Sequence, residues 1–553
     1  MGIKFKLKLF LIFLISTCLI VASYFYLRKQ QDHQFCVNNL EEEIDARFFG
    51  DDHKFLFTAR HEGTYELLKY ESGQISILFG TSKYIFSPFY FENRIQFLLD
   101  SDGSENFLTS DSNLNNALKN IAIHNIFSFF EGKLLFIFDD KKRSLYSLSG
   151  QPLELKCILN NISEVHKVIV DSASQNVVVS SGNKIIVIDL RNKHKPVEVF
   201  TQSDSLSNRI IPFISRGYIY FSTNEYSEFY QVYRLPLKNL KSKPVFLYKI
   251  DHDIILPKTI NNNLFYVEVN DGEYLLRKFD LNSKKITNIT NTGVVYDYKF
   301  LSEDTIGFIY SDINTPKSFI TYSVSSHVSK NCTQNSNARK INLLKLFNPV
   351  YKSNAYLITC ANIKKKGVII FFHPGGLHSD FSPRWDHTLI KPCMSGYVVL
   401  SPNNPMSFGY GKRFLNSSYV DAINDIEYWR YSMNGTYKHL PKYFLSSSSG
   451  NILMEDALVR NQHQVAGIIS FFGLASNEPF LPNVPALYIL GKTDPYVNYK
   501  SRLSFLSENS DVENKVHVFV FENEGHGLHW PKDICLADSC ILQFLSSHQI
   551  YKN

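Results

Sequence analysis

One short phrase, repeated, limits the folds open to this chain more than any other feature. Between residues 42 and 335 an opening strand, a hydrophobic strand, a polar turn, a second hydrophobic strand and a shorter last strand recur. In one copy Leu264-Phe265-Tyr266-Val267 leads to the turn Asn270-Asp271-Gly272. Tyr274 to Phe279 follow, and then Lys285-Ile286-Thr287. The same phrase lies at 54–78, 94–109, 133–156, 176–199, 218–246 and 305–328, which makes seven copies about 40 residues apart. Short runs rich in aromatic and β-branched side chains favour strands. The 44 Phe and 32 Tyr accompany such runs over much of the chain, and no long helical period interrupts them. A lone four-stranded unit cannot bury both faces, whereas units stacked in a ring can. Residues 32–338 are therefore predicted to form a β-propeller of about seven blades. A pair of irregular β-sandwiches is the alternative.

The pattern changes near residue 345, and residues 339–553 read as a second domain. Gly367-Val368-Ile369-Ile370-Phe371-Phe372 and Tyr397-Val398-Val399-Leu400-Ser401 are continuous apolar runs of the kind found in buried parallel strands. Residues 419–433 read as a helix with Val420, Ile423, Ile426 and Trp429 as apolar positions. Further strands are expected at 443–446, 467–472, 486–491 and 516–521, with a helix starting near 452. Strands alternating with helices imply a parallel sheet wrapped by helices.

Within that domain Tyr443-Phe444-Leu445-Ser446-Ser447-Ser448-Ser449-Gly450-Asn451 runs from strand through tight turn to helix. This is the context of the Gly-x-Ser-x-Gly elbow, which lifts a nucleophile above the sheet. Aligning Gly450 with the second glycine makes Ser448 the nucleophile and places Ser446 where the first glycine stands. The Ser449 N–H becomes a candidate oxyanion donor. A serine-rich turn with an ordinary helix cap is the plainer reading of these residues. Two later segments favour the elbow. Asp494 follows the strand 486–491, and His526 lies between Gly525 and Gly527 after the strand 516–521. Ser, acid, His is the chain order of the α/β-hydrolase triad. Here His526 would act as general base, with Asp494 setting its tautomer. His529 competes for that place. An acyl-enzyme route of this kind needs no metal or organic cofactor.

A propeller ahead of such a domain resembles the prolyl oligopeptidase family of serine peptidases. His373-Pro374-Gly375-Gly376 resembles the family's HGG-type loop, and residues 403–414 (NNPMSFGYGKRF) its N-x-R-G-S-x-x-Y-G-x-x-F segment. Asp421 and Asp425 resemble its acidic helix, and Ser448, Asp494 and His526 match its triad motifs. The resemblance implies peptide substrates, a propeller capping the active site, and a second oxyanion donor at Gly375. The chain departs from the family pattern in several places. Ser446 and Asn451 replace glycines, Pro374 and Leu377 alter the HGG-type loop, and the arginine before Ser407 is missing. Phe471 and Phe472 are candidates for the substrate pocket. Triad chemistry alone does not separate a peptidase from an esterase. A degenerate hydrolase domain serving as a binding protein is a third reading.

The amino terminus bears on location. Lys4, Lys6 and Lys8 precede an uncharged apolar run over residues 9–27, stopped by Arg28 and Lys29. Nineteen helical residues span about 28 Å, close to a bilayer core of roughly 30 Å. Residues 1–31 are read as a cytoplasmic stub and a single-pass signal anchor, leaving both large domains outside the cytoplasm. A cleaved signal peptide and lipoprotein processing at Cys18 are the alternatives. Sequons stand at Asn161, Asn288, Asn331, Asn416 and Asn434. The 58 basic against 52 acidic residues include no dense basic cluster, so nucleic acid is not an expected partner. A second copy of the chain is a candidate partner. Among the eight cysteines no CxxC pair exists, and Cys535 and Cys540 are close enough in sequence to bridge.

Overall fold

The computed structural model describes residues from Glu43 to Ser547, except 45–48, 51–53, 101–107, 204–209, 333–340, 374–377, 461–464, 475–483, 509–515 and turns of one to three residues before residue 195. The apolar run 9–27 and Cys18 lie outside the described residues. Among the described residues no helix is long and apolar enough to cross a membrane.

The repeated phrase folds as seven antiparallel meanders, over residues 43–81, 84–109, 123–159, 165–201, 213–248, 253–288 and 294–331. Each polar turn lets consecutive strands pair in register, as in Asn263–Asn270 against Glu273–Asp280. The last two meanders touch through one parallel bridge, Tyr274 with Val294. Side chains pack between successive sheets. Phe136, Phe138 and Leu145 meet Val168, Val177 and Val179 across one such junction. Leu68 of the first sheet is buried with Ile309 and Phe319 of the last, so the seven sheets close into a propeller.

The second domain is one eight-stranded sheet. Its order is Ile341–Asn348, Ser353–Cys360, Tyr397–Asn403, Gly367–Phe372, Lys442–Ser447, Gly467–Phe471, Ala486–Gly491 and Val516–Phe521. The last six strands are parallel. Because both faces of a parallel sheet carry helices, its central strands are apolar on both sides. One face packs on helices His387–Met394 and Pro531–Ser547 through Leu389, Ile390, Ile541 and Phe544. The other packs on Tyr419–Thr436, Gly450–Arg460 and Tyr499–Glu508 through Ile423, Trp429, Met454 and Leu506. Ser418 begins the helix Tyr419–Thr436 with a capping box completed by Asp421. One turn later Asp425 is buried and accepts hydrogen bonds from Asn348, Ser353 and Trp429. Burial pushes its carboxyl up to about 6, against the opposing pull of those three donors.

The propeller docks on the sheet domain through specific polar contacts. Asp271, in the turn of the sixth meander, accepts from Asn354 Nδ2 at 2.9 Å and pairs with Lys345. Its carbonyl accepts from Tyr356 Oη at 2.7 Å. Glu228 accepts from the Lys412 and Arg413 amides. The segment after Asn403 is thus a docking element, and Phe408 packs edge-on against Tyr230 of the propeller.

Cysteine pairing differs from the bridge considered between Cys535 and Cys540. Both lie on the helix Pro531–Ser547, where five residues rise about 7.5 Å and leave the two side chains about 140° apart around the axis. That exceeds disulfide reach. Cys535 is disulfide-bonded and Cys540 is in no disulfide, so the two do not pair with each other. Cys360 and Cys393 form a further bridge, with Cα atoms 5.7 Å apart and a sequence separation of 33. Closing a loop of that size restricts the unfolded chain and stabilises the fold by about 3–4 kcal/mol. Replacing both Cys360 and Cys393 with Ser is expected to lower the unfolding free energy by about that amount in urea titrations. An unchanged midpoint would show that the bridge does not form.

Candidate active site

The strand Lys442–Ser447 ends in a turn at Ser448, and the helix Gly450–Arg460 leaves it. Ser448 has φ +51°, a left-handed conformation that a serine holds only when its surroundings enforce it. The Ser448 N–H donates to Phe471 O at 3.0 Å, and its carbonyl accepts from Leu474 N at 3.1 Å. Gly450 is required by close approach. A Cβ there would stand 2.5 Å from Phe372 O and 2.6 Å from His373 O.

The two departures from glycine at this elbow compensate each other. Ser446 and Asn451 are both buried, and Ser446 Oγ donates to Asn451 Oδ1 at 2.9 Å. Asn451 Nδ2 then donates to Glu455 Oε1 and to Leu474 O, both at 2.9 Å. Glu455 is itself buried against Arg502. Every polar group introduced by the substitutions therefore has a partner, which buried polar atoms require.

Asp494 and His526 reach Ser448 from the ends of the last two strands, Ala486–Gly491 and Val516–Phe521. Ser448 Oγ lies 2.7 Å from His526 Nε2, and His526 Nδ1 lies 2.8 Å from Asp494 Oδ2. Asp494 Oδ1 accepts from the Tyr496 and Val497 amides at 2.8 and 2.9 Å, and its carboxylate is 1% exposed. A carboxylate can only accept, so Nδ1 of His526 carries the proton and Nε2 presents its lone pair to the serine. The two loops are joined directly. Thr493 donates through N and Oγ1 to Glu524 O, and Gly491 has no Cβ to strike the carbonyls of Glu524 and Gly525.

The structure brings Ser448, Asp494 and His526 together, and it places the competing His529 elsewhere. The His529 N–H and Nδ1 face the buried Glu524, which also accepts from Trp530 N at 2.8 Å. Ser449 follows Ser448, and among the described residues its N–H has no hydrogen-bond partner. Gly375 lies outside the described residues. His373, just before it, is buried. Phe471 and Phe472 are both buried in the core on one face of the sheet, and Phe472 also packs edge-on to His526 with ring centres 6.3 Å apart. Tyr496, absent from the sequence-based candidates, covers the His526 ring at 4.9 Å. Glu524 also escaped notice, although its place two residues before His526 was a usable signal. From the propeller, Tyr65 Oη donates to His529 O, so the first sheet touches the loop that carries His526.

No family model and no curated protein sequence matches the chain. Solved structures do. Oligopeptidase B from Leishmania major superposes with TM-score 0.76 at 11% identity, over 96% of this chain and 90% of that one. A puromycin-hydrolysing peptidase of Mycobacterium tuberculosis gives 0.72 at 11%, over 94% and 96%. An acylaminoacyl peptidase of Pyrococcus horikoshii gives 0.68 at 12%, over 94% and 98%. The chain has the fold of the prolyl oligopeptidase family, propeller and hydrolase domain together.

The pairing of Ser446 with Asn451 is open to a double-mutant cycle. Asn451→Gly alone strands the Ser446 hydroxyl and takes a donor from Leu474 O and from Glu455 Oε1, which keeps Arg502, and is expected to destabilise the protein by about 1–3 kcal/mol. Adding Ser446→Gly should recover part of that loss, giving a coupling of about 0.5–2 kcal/mol in chemical unfolding. Strict additivity would mean that the two residues act independently.

Proposed function

We propose that this chain is a serine peptidase that hydrolyses peptide bonds of short peptides through Ser448, His526 and Asp494. The observation that carries the reading is the unbroken run of two hydrogen bonds, 2.7 Å from Ser448 to His526 and 2.8 Å from His526 to Asp494. His526 Nε2 takes the Ser448 proton as Oγ attacks the carbonyl carbon. Asp494 stabilises the resulting imidazolium and keeps its proton on Nδ1. The tetrahedral oxyanion is received by the Ser449 N–H and, on our reading, by that of Gly375. The imidazolium then protonates the leaving amine, and the acyl group remains on Ser448. Water activated by His526 releases it. The structural neighbours named above are peptidases, which favours peptides over simple esters. The propeller docked beside the His526 loop limits the site to short or exposed segments.

We divide the chain into a stub and anchor over 1–31, a propeller over 32–338 and a catalytic domain over 339–553. We place the two large domains outside the cytoplasm, held by the apolar run 9–27. The Cys360–Cys393 bridge supports that placement, because such bonds persist in oxidising compartments.

A fluorophosphonate probe is expected to label the protein at Ser448, and Ser448→Ala should abolish labelling. Equal labelling of both would put the nucleophile elsewhere. Asp494→Asn is expected to reduce kcat about 10⁴-fold by presenting the wrong histidine tautomer. A panel of peptides beside acyl esters checks the substrate class. Cleavage of esters alone would make the protein an esterase.

A further inference from the structure

A cavity of about 310 Å3 lies between the domains. Ile255, Leu256 and Tyr274 of the propeller form one wall, and Phe371, His373 and Arg384 of the hydrolase domain form the other. Its volume falls in the range of ligand sites, roughly 300–1,000 Å3. It adjoins the elbow, because His373 lines the cavity while its carbonyl lies against Gly450, two residues from Ser448.

Arg384 is the one Lys or Arg among the described residues lining this space. Among the described residues its guanidinium makes no hydrogen bond and no ion pair. Two carboxylates stand near it, but both are engaged with other donors. Asp380 accepts from Tyr274 Oη at 2.8 Å and from Ser382 Oγ at 3.2 Å. Asp386 accepts from the N–H and hydroxyl of Thr388 and caps the helix His387–Met394. Burial opposes the charge of Arg384, and the neighbouring Tyr296, Asp386, Asp380 and Tyr274 outweigh that opposition. A charged planar group with five donors thus faces the cavity with its hydrogen-bonding capacity unspent.

We propose that this cavity is a carboxylate subsite, in which the Arg384 guanidinium takes an anionic group of the peptide held at Ser448. The inference rests on the serine peptidase reading and names its substrate class: short peptides bearing a carboxylate. A guanidinium matches a carboxylate in two parallel N–H···O bonds, and such pairs are strong where water is excluded. The carboxylate is either the peptide's own C-terminus or an Asp or Glu side chain, since the chemistry is shared.

The full chain carrying Ser448→Ala binds without turnover and serves as the test protein. An equimolar tetrapeptide library is offered with free or amidated C-termini, and with or without Asp and Glu. Bound peptides are quantified by mass spectrometry. Carboxylate-bearing peptides are expected to be retained roughly 10- to 100-fold over neutral ones. Adding Arg384→Met should reduce that ratio to about one, and Arg384→Lys should keep a reduced preference, because it retains charge without the fork. Retention of free-C-terminus peptides alone assigns the α-carboxylate. Retention of acidic amides as well assigns the side chain. Neutral peptides retained as well as acidic ones would overturn the proposal, as would a preference that survives Arg384→Met. Fluorophosphonate labelling of the wild-type chain reports on the peptidase assignment separately. Labelling without carboxylate preference would reject the subsite and keep the enzyme.

Discussion

The site depends on how closely the helix that begins at Gly450 approaches the strand Gly367–Phe372. With no side chain at Gly450, the start of the helix rests on the carbonyls of Phe372 and His373. The chain can then leave the strand Lys442–Ser447 only through a left-handed residue, and that residue is Ser448. Such a conformation costs about 1–2 kcal/mol for a side-chain-bearing residue. Hydrogen bonds to Phe471 and from Leu474 hold it in place. The sheet core beneath is closely packed, so the strain persists rather than relaxing. The Ser448 hydroxyl is presented by backbone geometry, before any other group is considered.

Asp494 and His526 extend the same principle to the ends of two adjacent strands. Adjacent parallel strands bring Asp494 and His526 alongside each other, and the missing Cβ at Gly491 lets their loops touch. Glu524 gathers three donors from His529 and Trp530 and fixes the turn that precedes the last helix. The propeller contributes little to this geometry and much to its surroundings. Asp271, Glu228 and Tyr274 seat it on the hydrolase domain, and the gap they leave is the cavity beside the elbow.

Features encoded locally were legible in the sequence. The apolar runs 367–372 and 486–491 coincide with strands because burial on both faces leaves no alternating pattern. The helix expected at 419–433 extends to Thr436, one turn beyond its last apolar position. The seven strand phrases each fall in a separate meander, since turn chemistry repeats with them. Ser448, Asp494 and His526 could be ordered along the chain because each follows a recognisable strand. Features created by distant approach were not legible. Arg384 acquires its setting from propeller strands some 90 to 130 residues earlier in the chain. The pairing of Cys360 with Cys393 rests on a helix crossing a strand end. Ser446 and Asn451 looked like defects in a motif. Their mutual hydrogen bond shows instead that one substitution accommodates the other.

The chain order of the site has a consequence for biosynthesis. Domains generally fold from the amino terminus as the chain emerges. The propeller is complete by about residue 331, and the elbow strand follows more than a hundred residues later. His526 and the helix Pro531–Ser547, which covers one face of the sheet, come last of all. A nascent chain therefore carries Ser448 for some eighty residues before His526 is made. The propeller sheets are complete before either residue emerges. On the proposed reading, order of synthesis keeps the serine without its base until the rest of the fold exists.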